Sequence, residues 1–366
     1  MKTRKLPLAA LSVAILFASC SKEDVINNSE NSLQNQIGFT AIGSNAQTKA
    51  TPITTNTINN FAVFAFSDDT YFMGGNATTG VKVSKETGEW DYEEKAYWPA
   101  SNPLNFYAVS PWHAEGDNTV FSWNVTNTKQ TISYQAQNEF TQEGGSTRNV
   151  DVMYGIATSQ TARTNGGVVK FNFKHILSQV LFKAKVQYAS MSVEIRDLAI
   201  SNVKNKGEFT FPTAGDATKD NWDMSDAGYA GFKVASFYTA QTINSVTDAE
   251  WISDTDDPLM LIPQALTKWN VSGDTKSIVG ADNANQSYLK IVCTIKQNGI
   301  DLFSGDLYVP FGDTWEPGKR YIYTLIFGGG YDEDGDPILK PIEFDAEVTD
   351  WVEATNDINT SEGGLN

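Results

Sequence analysis

Histidine and cysteine are almost missing from this chain, which carries two of each in 366 residues. The histidines, His113 and His175, stand apart, and neither lies at ligand spacing from another His or Cys, so the common zinc arrangements are excluded. Basic charge is also short: 27 Lys and Arg face 44 Asp and Glu, for a net charge of −17. Nucleic acid and anionic membrane surfaces would repel such a chain. There is no phosphate-cradling glycine loop, no Gly-x-Ser-x-Gly elbow and no zinc-protease helix. Two adjacent acid pairs, Glu93-Glu94 and Asp256-Asp257, read as solvated faces rather than as a hydrolytic pair. The run Asp332-Glu333-Asp334-Gly335-Asp336 lacks the distal Glu and flanking helices of an EF-hand, and reads as an acidic linker. No catalytic residue, metal or cofactor is expected. Long apolar runs are missing too; residues 6–17 form the main one, too short to span a bilayer.

That short apolar stretch has its own meaning. Lys2, Arg4 and Lys5 precede it, and the small residues Ala18 and Ser19 follow, which makes residues 1–19 an export signal. Cys20 comes directly after, and the junction resembles a bacterial lipobox, in which this thiol takes a lipid. Phe17 stands where such boxes usually carry Leu. Residues 20–36, rich in Asn and Ser, read as a flexible stalk between lipid and fold. With Cys20 lipidated, Cys293 has no disulfide partner within the chain. It lies in phase with Leu289, Ile291 and Ile295 and reads as a buried structural thiol.

From Ile37 onward the hydrophobic period is two. Phe182, Ala184, Val186 and Tyr188 alternate with Lys183, Lys185 and Gln187; Tyr321, Tyr323, Leu325 and Phe327 repeat the pattern. Residues 289–296 and 300–309 flank Asn298-Gly299, a pair that supplies the positive φ angles of a tight hairpin. No long amphipathic helix is visible; residues 248–252 and 174–180 read as short turns. The expectation is an all-β protein of two consecutive antiparallel β-sandwiches, residues 37–175 and 176–327. Residues 328–366 form a Gly- and Asp-rich linker and a detachable last strand, in which Ile342, Phe344, Ala346 and Val348 share one face. Ile37, Phe39 and Ala41 form a similar face at the other end.

Several short pieces, in order, resemble the fimbrillin family of Bacteroidota, the type V pilins with their Mfa-like lipoproteins. They are Ile37-Gly38-Phe39 with Thr48-Lys49-Ala50-Thr51, Phe61-Ala62-Val63-Phe64-Ala65, Tyr97-Trp98-Pro99, and Asn105-Phe106-Tyr107-Ala108-Val109-Ser110-Pro111. Further along come Phe173-Lys174-His175-Ile176-Leu177-Ser178, Leu261-Ile262-Pro263-Gln264, Trp315-Glu316-Pro317-Gly318-Lys319-Arg320-Tyr321 and Val348-Thr349-Asp350-Trp351. The resemblance implies transthyretin-like sandwiches and a surface pilin or adhesin subunit with no catalytic activity. It implies an outer-membrane precursor held by lipid on Cys20, and a trypsin-like protease cutting after a basic residue. The matching bond here is Lys49–Ala50, although many relatives carry Arg at that place. Loss of the N-terminal strand then opens a groove for an extended segment of another pilin subunit, of the same or a different kind, with Ile342, Phe344, Ala346 and Val348 as the candidate donor. A host or bacterial surface ligand is a further expected partner. The competing reading is a glycan-binding surface lipoprotein that does not polymerise, suggested by 9 Trp and 14 Tyr.

Overall fold

The computed structural model describes residues 36–43, 58–85, 88–114, 120–137, 150–328, 330–338 and 343–350. Within these the protein is almost entirely β, with twenty strands in four sheets. The chain opens with β1 (Gly38–Gly43) and β2 (Asn60–Ser67), then the short β3 (Thr70–Met73) and β4 (Val81–Ser84). β5 (Leu104–Ser110) returns beside β2, and β6 (Phe121–Val125) and β7 (Gln130–Gln135) form a separate hairpin. β8 (Met153–Gln160) and β9 (Val168–His175) complete a seven-stranded sheet in the order β1-β9-β8-β5-β2-β3, with β4 also paired to β2.

β2 explains why its sequence is continuously apolar rather than alternating. Phe61, Val63 and Ala65 enter one core while Ala62, Phe64 and Phe66 enter another on the opposite face. A strand buried on both sides has no solvent face to mark with polar residues. β1 occupies the outer edge of this sheet and runs parallel to β9, from Gly38 opposite Val168 to Gly43 opposite Phe173.

The chain then continues through β10 (Ser178–Val186), β11 (Met191–Lys204), β12 (Lys206–Thr210), β13 (Trp222–Asp223) and β14 (Tyr229–Ile243). After the short β15 (Glu250–Trp251) and β16 (Leu259–Leu261) come α1 (Ile278–Asn283), β17 (Tyr288–Gln297), β18 (Ile300–Pro310), β19 (Lys319–Phe327) and β20 (Glu343–Asp350). One sheet is β14-β11-β17-β18; another is β15-β10-β19-β20 with β16 on β10. The fourth, β13-β12-β7-β6, combines strands from both sides of His175. The larger hydrophobic core likewise runs from Phe64 and Phe66 through Phe182, Ile195 and Phe209 to Trp315 and Phe327.

The alternating stretches form β10 and β19, although Tyr188 lies beyond the end of β10 and is 45% exposed. They pair parallel to each other, Phe182 opposite Tyr323 and Ala184 opposite Leu325, so their buried faces coincide. The hairpin forms as β17 and β18, with φ of 52° at Asn298 and 79° at Gly299. Residues 174–180 depart from the expected short turn: they carry β9 straight into β10, with Ile176 and Leu177 buried between them. α1 has six residues, too few to show a 3.6 period in sequence, and is capped by the Ser277 hydroxyl, which accepts from the Gly280 amide at 3.2 Å.

Candidate assembly site

β1 is a plug as much as a strand. Ile37 is fully buried and Phe39 is 6% exposed, both in the core beneath the seven-stranded sheet. The Phe39 ring sits among four others: Tyr92 at 5.3 Å, Phe106 at 6.0 Å, Phe171 at 6.2 Å and Phe61 at 6.5 Å between centroids. Main-chain contacts hold the entry to the strand. The Ile37 amide donates to the Ala96 carbonyl at 2.9 Å, and the Tyr92 hydroxyl donates to the Ile37 carbonyl at 2.8 Å. Burial raises the Tyr92 pKa, which keeps that hydroxyl a donor. The outward residues Gly38 and Thr40 are only half-buried. Without β1, the ladder groups of β9 and the ring pocket would both lie open. Ile37 and Phe39 were legible from their spacing. The pocket residues Tyr92, Phe106 and Phe171 were not, because they come from segments far apart in sequence.

β20 is the contrasting edge strand. It pairs antiparallel with β19, Val348 opposite Tyr321 and Ala346 opposite Tyr323. Tyr321 and Tyr323 are buried, yet Ala346 is exposed and Val348 is 53% exposed. The strand is therefore paired to the sheet through its ladder while Ala346 and Val348 stay open to solvent. Lys319 and Asp350 form an ion pair at its end. There a cleft of about 750 Å³ opens between Phe173, Lys174 and His175 of β9, the Glu316-Pro317-Gly318 turn, and Thr349 and Asp350. Phe344 lies within β20 opposite Leu325. Cys20, Lys49, Ala50 and Ile342 fall outside the described residues, as do the signal segment and most of the stalk.

His175 and the acidic run have local structural partners. His175 Nδ1 lies 2.8 Å from Asp151 Oδ1, with both side chains buried. Cys293 is 4% exposed, and burial pushes its thiol pKa up to about 12. Glu93 and Glu94 are exposed; Asp256 is exposed beside a half-buried Asp257. The acidic run folds on itself, the Asp332 carboxylate accepting from the Asp334 and Asp336 amides, while Asp336 pairs with Lys276. Among the described residues no group of three or more His, Cys, Asp or Glu is arranged to hold a metal ion. Trp98, Trp123, Trp222, Trp269 and Trp315 are buried core residues. Trp315 Nε1 donates to the Tyr323 hydroxyl at 2.9 Å.

Among solved structures, the chain is similar to a fimbrial protein from Bacteroides vulgatus, with 15% identity, a TM-score of 0.60, and coverage of 87% of this chain and 100% of the other. That likeness establishes the fold. A candidate cell-adhesion protein from Bacteroides eggerthii matches at 15% identity and a TM-score of 0.45, covering 87% of this chain and 97% of its own. The tip fimbrial protein Mfa3 from Porphyromonas gingivalis matches at 10% identity and a TM-score of 0.38, covering 80% and 94%. No curated protein matches the chain by sequence. The model of the fimbrillin-like family matches residues 48–351, most of the chain and nearly all of its strands, and the chain belongs to that family.

Proposed function

We propose that this protein is a structural pilin or adhesin subunit of a surface fimbria, with no catalytic role. In this reading it is exported as an outer-membrane lipoprotein through Cys20, cut by a trypsin-like protease after Lys49, and assembled by strand exchange. Its two halves, residues 37–175 and 176–327, act as consecutive sandwich domains, and residues 328–366 carry the donor strand. The supporting observation is the contrast between the two terminal strands. β1 plugs an aromatic pocket from a sheet edge, and β20 carries Ala346 and Val348, which are exposed in their own molecule. Removing the first creates the vacancy that the second is suited to fill. Burying each large donor side chain would contribute roughly 1.5–3 kcal/mol.

Deleting residues 341–366 tests this directly. The expected result is a folded monomer that forms no polymer after proteolysis; normal polymerisation of the truncated chain overturns strand exchange from this segment. One observation favours the glycan-binding reading: Tyr238 on β14 is 91% exposed, an available platform for a sugar ring. A positive glycan array from a chain that stays monomeric after limited trypsin digestion would select it.

A further inference from the structure

The sheet β13-β12-β7-β6 buries one face only. Trp123, Ile132, Phe209 and Trp222 enter the larger core, so the residues that alternate with them point outward. The register sets four of these in one row: Ser122 opposite Ser133, Ser133 opposite Glu208, and Glu208 opposite Asp223. Adjacent strands in such a row lie ~4.8 Å apart. Gln135 lies opposite Lys206 beside it. With the turn at Ser225 and Asp226, these side chains line a pocket of about 440 Å³. We propose that this pocket binds a short neutral saccharide. The inference goes beyond the assembly reading, does not depend on strand exchange, and gives glycan binding a site other than Tyr238.

The pocket is built rather than incidental. A Cβ added at Gly207 would meet Met224 Cγ at 2.9 Å and the Asp223 carbonyl oxygen at 3.0 Å, so the chain after β13 sits directly against β12. The Ser225 amide donates to Asp223 Oδ1 at 3.0 Å, which holds that carboxylate in place. Lys129 Nζ holds Glu208 Oε1 at 2.6 Å. The side chains of Ser122, Ser133, Gln135, Lys206 and Asp226 carry no hydrogen-bond or ion-pair partner among the described residues. Donors and acceptors are thus available side by side.

That mixture narrows the ligand. An anion would face Glu208, Asp223 and Asp226 on a chain whose net charge is already −17. A cation would find Glu208 already paired and Lys206 in the same lining. An apolar molecule would leave the polar groups it covers unpaired. A hydroxyl both donates and accepts. A polyol can therefore accept from Lys206 and Gln135 while donating to Asp223 and Asp226. Val120 and Ala227, both half-buried in the lining, supply apolar surface for the C–H groups of a sugar ring. The volume is that of a small-ligand site.

Binding of the full chain to immobilised lactose, maltose, cellobiose, chitobiose and sialyllactose tests the proposal. At least one neutral sugar should bind, and sialyllactose should stay at background. Asp223→Asn and Ser133→Val should each weaken that binding about 10-fold or more, while Tyr238→Ala leaves it unchanged. All three positions are exposed, so the variants should keep the parent melting temperature. No binding to any neutral sugar, a preference for sialyllactose, or parental binding by both pocket variants overturns the site. Neither terminal strand lines the pocket, so affinity should be the same before and after limited trypsin digestion. A chain that binds sugar but never polymerises overturns strand exchange and leaves this site standing; polymers that bind no sugar do the reverse.

Discussion

His175 and Asp151 are the buried polar pair on which the end of β9 depends. Nδ1 and Oδ1 are 2.8 Å apart with both side chains nearly inaccessible, and Tyr134 donates its hydroxyl to the neighbouring Val150 carbonyl at 3.3 Å. Removing one partner of a buried hydrogen bond costs more than the bond's own net contribution. His175→Ala should therefore cost about 1–3 kcal/mol in urea unfolding. A loss under 1 kcal/mol would mean that solvent or another group takes over the role of the imidazole. The lone position of His175 in a β-rich stretch indicated a structural residue. Its partner was not legible, because Asp151 lies 24 residues away across the β8–β9 pairing.

At the scale of elements, the β17–β18 hairpin shows what local sequence determines. Asn298 and Gly299 both occupy the left-handed region, and nothing lies within 4 Å of a Cβ added at Gly299. Substitution there tests backbone strain alone. Gly299→Val should destabilise the protein by about 1–2 kcal/mol, measured as a lower urea midpoint with unchanged steepness. An unchanged midpoint would show that the turn relaxes to another type. The hairpin was readable because its two strands are adjacent in sequence and the dipeptide names the turn. β1 was legible as an apolar alternation but not as the parallel neighbour of β9, since Phe39 and Val169 are joined only by the folded sheet. The pairing of β12 with β7 was equally hidden: Phe209 meets Ile132 through a topology that no local signal encodes. α1 was missed because six residues hold too little periodicity.

At the scale of the whole molecule, burial raises the pKa of one core thiol and several core phenols. The Cys293 thiol is pushed from 9.0 up to about 12, and burial raises Tyr154 from 10.0 to about 12. Burial also raises Tyr134, Tyr288 and Tyr323. In each case the folded value exceeds the unfolded one, so their contribution is intact below pH 9 and is lost as pH climbs through the folded values. The urea midpoint should stay level on the neutral side and fall steadily between about pH 9 and 12. A midpoint still level at pH 11 would refute the burial of these groups. All-β character and strand alternation were visible in the chain. The sharing of one sheet between its halves was not, and that sharing has a mechanical side. β7 and β12 are stitched through five residue pairs, from Lys206 opposite Gln135 to Thr210 opposite Thr131. A load that tried to bend the molecule between its halves would have to tear a sheet and part a common core. In the proposed filament each subunit would then behave as a stiff rod, and bending or stretching under flow would be taken up at the joints where one molecule's last strand enters the next.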